Sequence, residues 1–112
     1  MLRNQPYAFT VSLQDAYCVV RAAGELDIAS VAQLRAAVND ARGHAERVVV
    51  DLRAVTFMDT FALRALVVLQ RDASRRPDGS LHVVPGAGIQ RVLDLTGARA
   101  ALRWISAEQL AA

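Results

Sequence analysis

Along residues 7–13, Tyr-Ala-Phe-Thr-Val-Ser-Leu, the large apolar side chains Tyr7, Phe9, Val11 and Leu13 alternate with small or polar neighbours. An extended chain points successive side chains to opposite faces, so this two-residue period predicts a half-buried strand. Gln14-Asp15 interrupts the pattern and Tyr17 to Ala23 resumes it, which predicts a hairpin ending at Gly24. The period then changes. Ser30 and Gln33 stand at capping-box spacing, and Val31, Leu34, Val38 and Ala41 recur at a helical interval up to Gly43, predicting a helix over 30–42. The unbroken run Val48-Val49-Val50 within Arg47–Leu52 suits a strand covered on both faces and central in its sheet.

Thr60 to Arg76 contains no Gly or Pro and is rich in Leu, Ala and Val, which predicts a second helix with Asp59 or Thr60 as its cap. Pro77-Asp78-Gly79-Ser80 stops it, Leu81–Val84 gives a fourth strand, and Ile89, Val92 and Leu93 mark a third helix ending at Gly97. Leu102–Ile105 reads as a last strand, and Ser106 as the cap of a short terminal helix containing Glu108 and Leu110. Alternation of helices and strands after an opening hairpin predicts an α/β fold. The expectation is one domain over 1–112, with a mixed sheet of about five strands and about four helices.

Composition narrows the function. At 112 residues, 54% hydrophobic and 21% charged, the chain has the apolar mass for one packed core and too little charge for a disordered chain. No apolar run reaches the roughly 18–20 residues of a membrane span, and Met-Leu-Arg-Asn-Gln-Pro has no signal-type segment, so a cytoplasmic protein without a membrane partner is expected. Cys18 is alone, and with only His44 and His82 it cannot complete a zinc cage. Neither a metal nor a cofactor is expected. All thirteen cations are arginines. A GC-rich genome explains that usage, and a nucleic-acid surface is the other reading. With 5% aromatic residues, stacking platforms for single strands are scarce, and no direct nucleic-acid partner is expected.

The parts for catalysis are few. His82 falls within the fourth strand and His44 after Gly43, neither with an evident partner, and Gly86-Ala87-Gly88 is too short for a dinucleotide fingerprint. No catalytic residue is named and no enzyme is expected. One junction stands out: a buried strand runs into Phe57-Met58-Asp59-Thr60-Phe61, where a polar pair at a helix start is flanked by large apolar residues. Thr60 there is either an ordinary part of a helix cap or a hydroxyl beside outward-pointing N–H groups that tolerate an anion.

Gly24-Glu25-Leu26-Asp27, Val50-Asp51-Leu52, Phe57-Met58-Asp59-Thr60 and Leu93-Asp94-Leu95-Thr96-Gly97 occur in this order along nearly the whole chain. Together they resemble the STAS domain of bacterial anti-sigma factor antagonists. In that family the hydroxyl residue directly after the Asp of the third segment is phosphorylated by a partner kinase, a place held here by Thr60. The resemblance implies a partner switch. The unmodified antagonist binds an anti-sigma factor that is also a Ser/Thr kinase, which frees a sigma factor for transcription. Phosphorylation releases the antagonist, and a phosphatase restores it. Asp27 and Asp59 match acidic positions near the family's acceptor. Monomers or weak dimers are expected.

A phosphate would add about −1.5 to −2 charges beside Asp59, so a partner fitted to a neutral hydroxyl would be rejected while the helix dipole keeps the fold intact. The second helix suggests the docking face. Phe61, Leu63, Leu66, Val67 and Leu69 surround much of its circumference, to be covered by neighbouring helices or by a partner. Arg64, Arg71 and Arg75 form one stripe with Val68 beside it. The expected partner-binding residues are therefore Asp27, Asp59, Thr60, Phe61, Arg64 and Val68. The sequence departs from the family at Phe61 and Ala62, where Ser or Thr followed by Gly is common. This departure leaves room for a permanent role as a scaffold of a stress-signalling complex or an accessory subunit of a lipid transporter.

Overall fold

The computed structural model describes residues 6–111. Four strands, β1 (Tyr7–Leu13), β2 (Cys18–Leu26), β3 (Arg47–Met58) and β4 (Ser80–Val84), form one sheet in the order β1-β2-β3-β4. β1 and β2 are antiparallel, whereas β2, β3 and β4 run parallel. The parallel pairs are joined through helices α1 (Val31–Arg42) and α2 (Thr60–Ser74), and α3 (Gln90–Thr96) and α4 (Ala107–Ala111) follow β4. The α/β class and the mixed sheet thus match the sequence pattern.

Tyr7, Phe9 and Val11 pack against the core as their alternation requires, while Leu13 at the strand end is exposed. β2 does not stop at Gly24 but continues to Leu26. Gly24 adopts φ +87°, and a Cβ there would overlap the Pro6 carbonyl oxygen, so the glycine permits close strand contact instead of ending the hairpin. β3 likewise runs on through Met58, with no loop between it and α2 beyond Asp59.

One face of the sheet carries Val20, Val50, Leu52 and Val83 into a core completed by Leu34 and Val38 of α1 and Leu63, Leu66 and Leu69 of α2. Cys18 fills part of that core. On the other face Val19, Val49 and Val84 meet Leu110 of α4, with Tyr17 and Ile105 at the margin. The Val48–Val50 run is buried because its side chains enter both layers.

Three expected details change. Ser30 does not cap α1 with Gln33. The reciprocal box lies one turn earlier, between Asp27 and Ser30, around a 3₁₀ turn at Ile28–Ser30. α2 ends at Ser74 and not Arg76, because Pro77 disfavours helical geometry in the residue before it. The fifth strand contracts to one bridge between Val83 and Trp104. The buried Gln70 of α2 explains the contraction: its Oε1 accepts the Arg103 N–H at 2.7 Å and its Nε2 donates to the Ala101 carbonyl at 3.4 Å. Backbone that would extend a ladder is bonded to a side chain instead. Ser106 and Gln109 then bond reciprocally at the start of α4.

Candidate functional site

Leu26 and Met58 are paired across the parallel strands, so the next residues, Asp27 and Asp59, emerge side by side at the same end of the sheet. The Asp59 N–H donates to the Leu26 carbonyl at 3.0 Å, tying the two exits together. Each carboxylate has a local duty. Asp27 Oδ1 accepts the Ala29 N–H at 2.9 Å, and Asp59 Oδ1 accepts the Ala62 N–H at 2.9 Å as the N-cap of α2.

Thr60 is therefore the first helical residue and not the cap, and it is exposed. Its N–H and that of Phe61 have no hydrogen-bond partner among the described residues. A negative charge on the Thr60 oxygen would meet these donors and the positive end of a fifteen-residue helix. Phe61 is 55% exposed and projects away from the core, leaving the hydroxyl reachable. Ala62 is fully buried in ordinary helical backbone, so nothing in the local geometry requires glycine there.

Apolar groups surround this polar end. Ile28, Phe57, Phe61 and Leu95 are all large, hydrophobic and at least half exposed. A groove of about 480 Å³ runs beside Thr60, bounded by Thr56–Thr60 on one side and Ala87, Gly88, Arg91, Val92 and Leu95 on the other. Gly88 makes that closeness possible, since a Cβ there would overlap the Val55 carbonyl oxygen. Arg91 escapes sequence reasoning, because no motif or spacing marks it and only the packing of the α3 segment on β3 brings it into the groove that Thr60 also lines.

α2 separates its two roles by face. Ala62, Leu63, Ala65, Leu66, Leu69 and Ala73 are buried and Val67 is half-buried, so the protein itself covers most of the apolar circumference. Phe61, Arg64, Val68, Arg71 and Arg75 form an exposed stripe, and none of these arginines makes an ion pair among the described residues. Asp27, Asp59, Thr60 and Phe61 share one end of the molecule. Arg64 lies a turn further along, and Val68 about 12 Å from Thr60 at the helical rise.

Other titratable groups lie elsewhere. Asp51, 4% exposed, accepts two hydrogen bonds of 3.0 and 2.7 Å from the Arg53 guanidinium and one of 3.0 Å from the Arg53 backbone N–H, and lies 3.5 Å from Arg21. Burial alone would raise its pKa, but the Arg53 bonds and the charges of Arg53 and Arg21 outweigh that and hold it below the usual carboxylate value. His82 borders a cavity of about 470 Å³ with Tyr17, Arg47 and Gln109. Burial, then Arg103 and Arg47, lowers its pKa from the ordinary 6.5. His44 is exposed, 3.8 Å from Asp40. Among the described residues no helix is long and apolar enough to cross a membrane.

Comparison with solved structures finds close likeness of fold. An anti-sigma factor antagonist from Mycobacterium paratuberculosis is 24% identical, with 88% of this chain and 84% of that chain covered and a TM-score of 0.74. The anti-sigma factor antagonist SpoIIAA in its unphosphorylated form is 20% identical, with 93% of both chains covered and a TM-score of 0.71. The phosphorylated form of the Bacillus cell fate determinant SpoIIAA is 21% identical, with 93% and 96% covered and a TM-score of 0.66. Comparison with curated proteins finds no match. A family model described as "Mlab, STAS domain" matches residues 9–103, which is most of the sequence and includes all of β2, β3, α2 and α3. The chain belongs to the STAS domain family.

Proposed function

We propose that this protein is an anti-sigma factor antagonist, a non-enzymatic module that docks on an anti-sigma factor with Ser/Thr kinase activity and is released when Thr60 is phosphorylated. The observation that carries this reading is the exposed Thr60 at the first position of α2, beside a half-buried Asp59 already engaged as the cap and among exposed Phe57, Phe61 and Ile28. The likeness of fold to antagonists, one of them in unphosphorylated and phosphorylated forms, supports it. Asp27, Asp59, Thr60, Phe61, Arg64 and Val68 form the docking face, and a phosphatase completes the cycle in the cytoplasm.

The chemistry suits the location. An apolar rim gives a partner area to bury, and an uncharged hydroxyl can be desolvated at modest cost where a phosphate cannot. Incubation with the cognate kinase and ATP should add one phosphate by intact mass. Thr60→Ala should add none. Equal incorporation in both proteins, or none in wild type where a control antagonist is modified, would overturn the assignment.

A second reading, a permanent STAS subunit of a signalling assembly or lipid transporter, draws on Phe61 and Ala62, which replace the usual small residues after the acceptor. It requires Thr60→Glu to bind its partner as wild type does. A sigma factor and a histidine-kinase-like ATPase encoded nearby favour the switch, and transporter genes favour the subunit.

A further inference from the structure

Thr60 and Arg91 line the same groove from different elements, Thr60 at the start of α2 and Arg91 on α3. Arg91 is exposed and makes no ion pair or side-chain hydrogen bond among the described residues. The walls between them are largely apolar, with Phe57, Val92 and Leu95. Asp59 is the other charged residue of the groove, and its Oδ1 is held by the Ala62 N–H. An unpaired guanidinium and a reachable hydroxyl thus line one largely apolar groove.

We propose that Arg91 is the internal receptor for a phosphate on Thr60, so that modification bridges α2 to α3 and closes the groove as well as adding charge. The inference rests on Thr60 being the acceptor. Transfer from ATP forms the Oγ–P bond and breaks the bond between the γ-phosphorus and the bridging oxygen of the departing ADP. The hydroxyl proton passes to a base of the kinase. The product is a near-dianion with three acceptor oxygens, which a guanidinium fork engages through paired hydrogen bonds. Asp59 repels the same group from the helix side, which favours the position towards α3. Arg64, one turn along α2, is the competing cation, but it lies on the exposed stripe and does not border the groove.

A kinase-independent experiment separates this proposal from the functional reading: phosphothreonine is incorporated at position 60 during translation and titrated by phosphorus NMR. In the otherwise wild-type protein the second phosphate ionisation should fall below its usual value of about 6. Arg91→Gln should raise it by about one unit, Arg91→Lys should restore part of the difference, and Arg64→Gln should leave it in place. Identical titration of the wild-type and Arg91→Gln proteins, or a larger shift from Arg64→Gln, would overturn the proposal. Failure of the kinase to modify Thr60 would sink the switch and leave this titration unaffected.

Discussion

Two aspartates on the path of β3 show what distinguishes a finished charge from an available one. Asp51, inside the strand, is almost wholly buried and receives the Arg53 backbone N–H, the Arg53 guanidinium and the nearby charge of Arg21. Asp59, just after the strand, is half-buried and uses one oxygen to cap α2 beside an exposed hydroxyl. The same side chain serves internal cohesion in one place and frames an outward-facing surface in the other. Local saturation by donors separates the two, since a group whose bonds are complete has little left to offer a second molecule.

The largest expected effect is on binding and falls only at the second region. Thr60→Glu should weaken binding to the proposed anti-sigma partner about a hundredfold, a loss near 2.7 kcal/mol, with the thermal midpoint unchanged because an acid at the first helical turn suits the dipole. Calorimetric titration and a thermal melt check both halves. Asp51→Ala should invert that outcome, with partner affinity retained and stability reduced by about 2 kcal/mol, about 8 °C in midpoint. The loss stays below that of a fully buried pair because Arg21 and Arg53, each about half exposed, regain water.

Asp59→Ala lies between them. Loss of the cap should cost about 1 kcal/mol, roughly 4 °C, and reduce docking as well, so this variant alone should move both readouts. The smallest effect is acidic. The depressed pKa of His82 contributes stability present above about 6.5 and lost as pH falls through its folded value. The depressed pKa of Asp51 contributes stability present above its unfolded value and lost below about 4. Denaturant midpoints measured from pH 7 downwards should therefore fall in two stages, the first removed by His82→Gln and the second by Asp51→Ala.

The sequence pattern reveals most where periodicity survives. β1, the core of β3, the buried face of α2 and the left-handed Gly97 after α3 follow from spacing and residue type. The second half of β3 does not, because its pairing with β2 slips between Arg21 and Ala23 and again between Gly24 and Glu25. Each slip puts an extra β3 residue opposite β2, so Val55 and Met58 face inward three apart and the two-residue signal disappears. At the site, Asp59 and Thr60 are legible as a helix start and Val68 as an apolar position beside the arginine stripe, whereas Phe61 reads as part of the apolar circumference and only the structure puts it on the exposed face. Arg91 is not legible, since its place in the groove with Thr60 depends on contacts between distant segments. The Ser30–Gln33 spacing gives no cap, because Ser30 instead completes a box with Asp27 around the preceding 3₁₀ turn.

The replacement of a fifth strand by the Val83–Trp104 bridge also bears on self-association. Exposed backbone amides along a sheet border invite a second molecule to pair with them. At β4 the returning chain meets that border at one residue, and Gln70 fixes the adjoining backbone. Strand-to-strand oligomerisation on that side must first displace a tether anchored about one turn from the end of α2. Among the described residues the border formed by β1 has β2 as its sole partner in the sheet, so it is the more open place for such growth to begin.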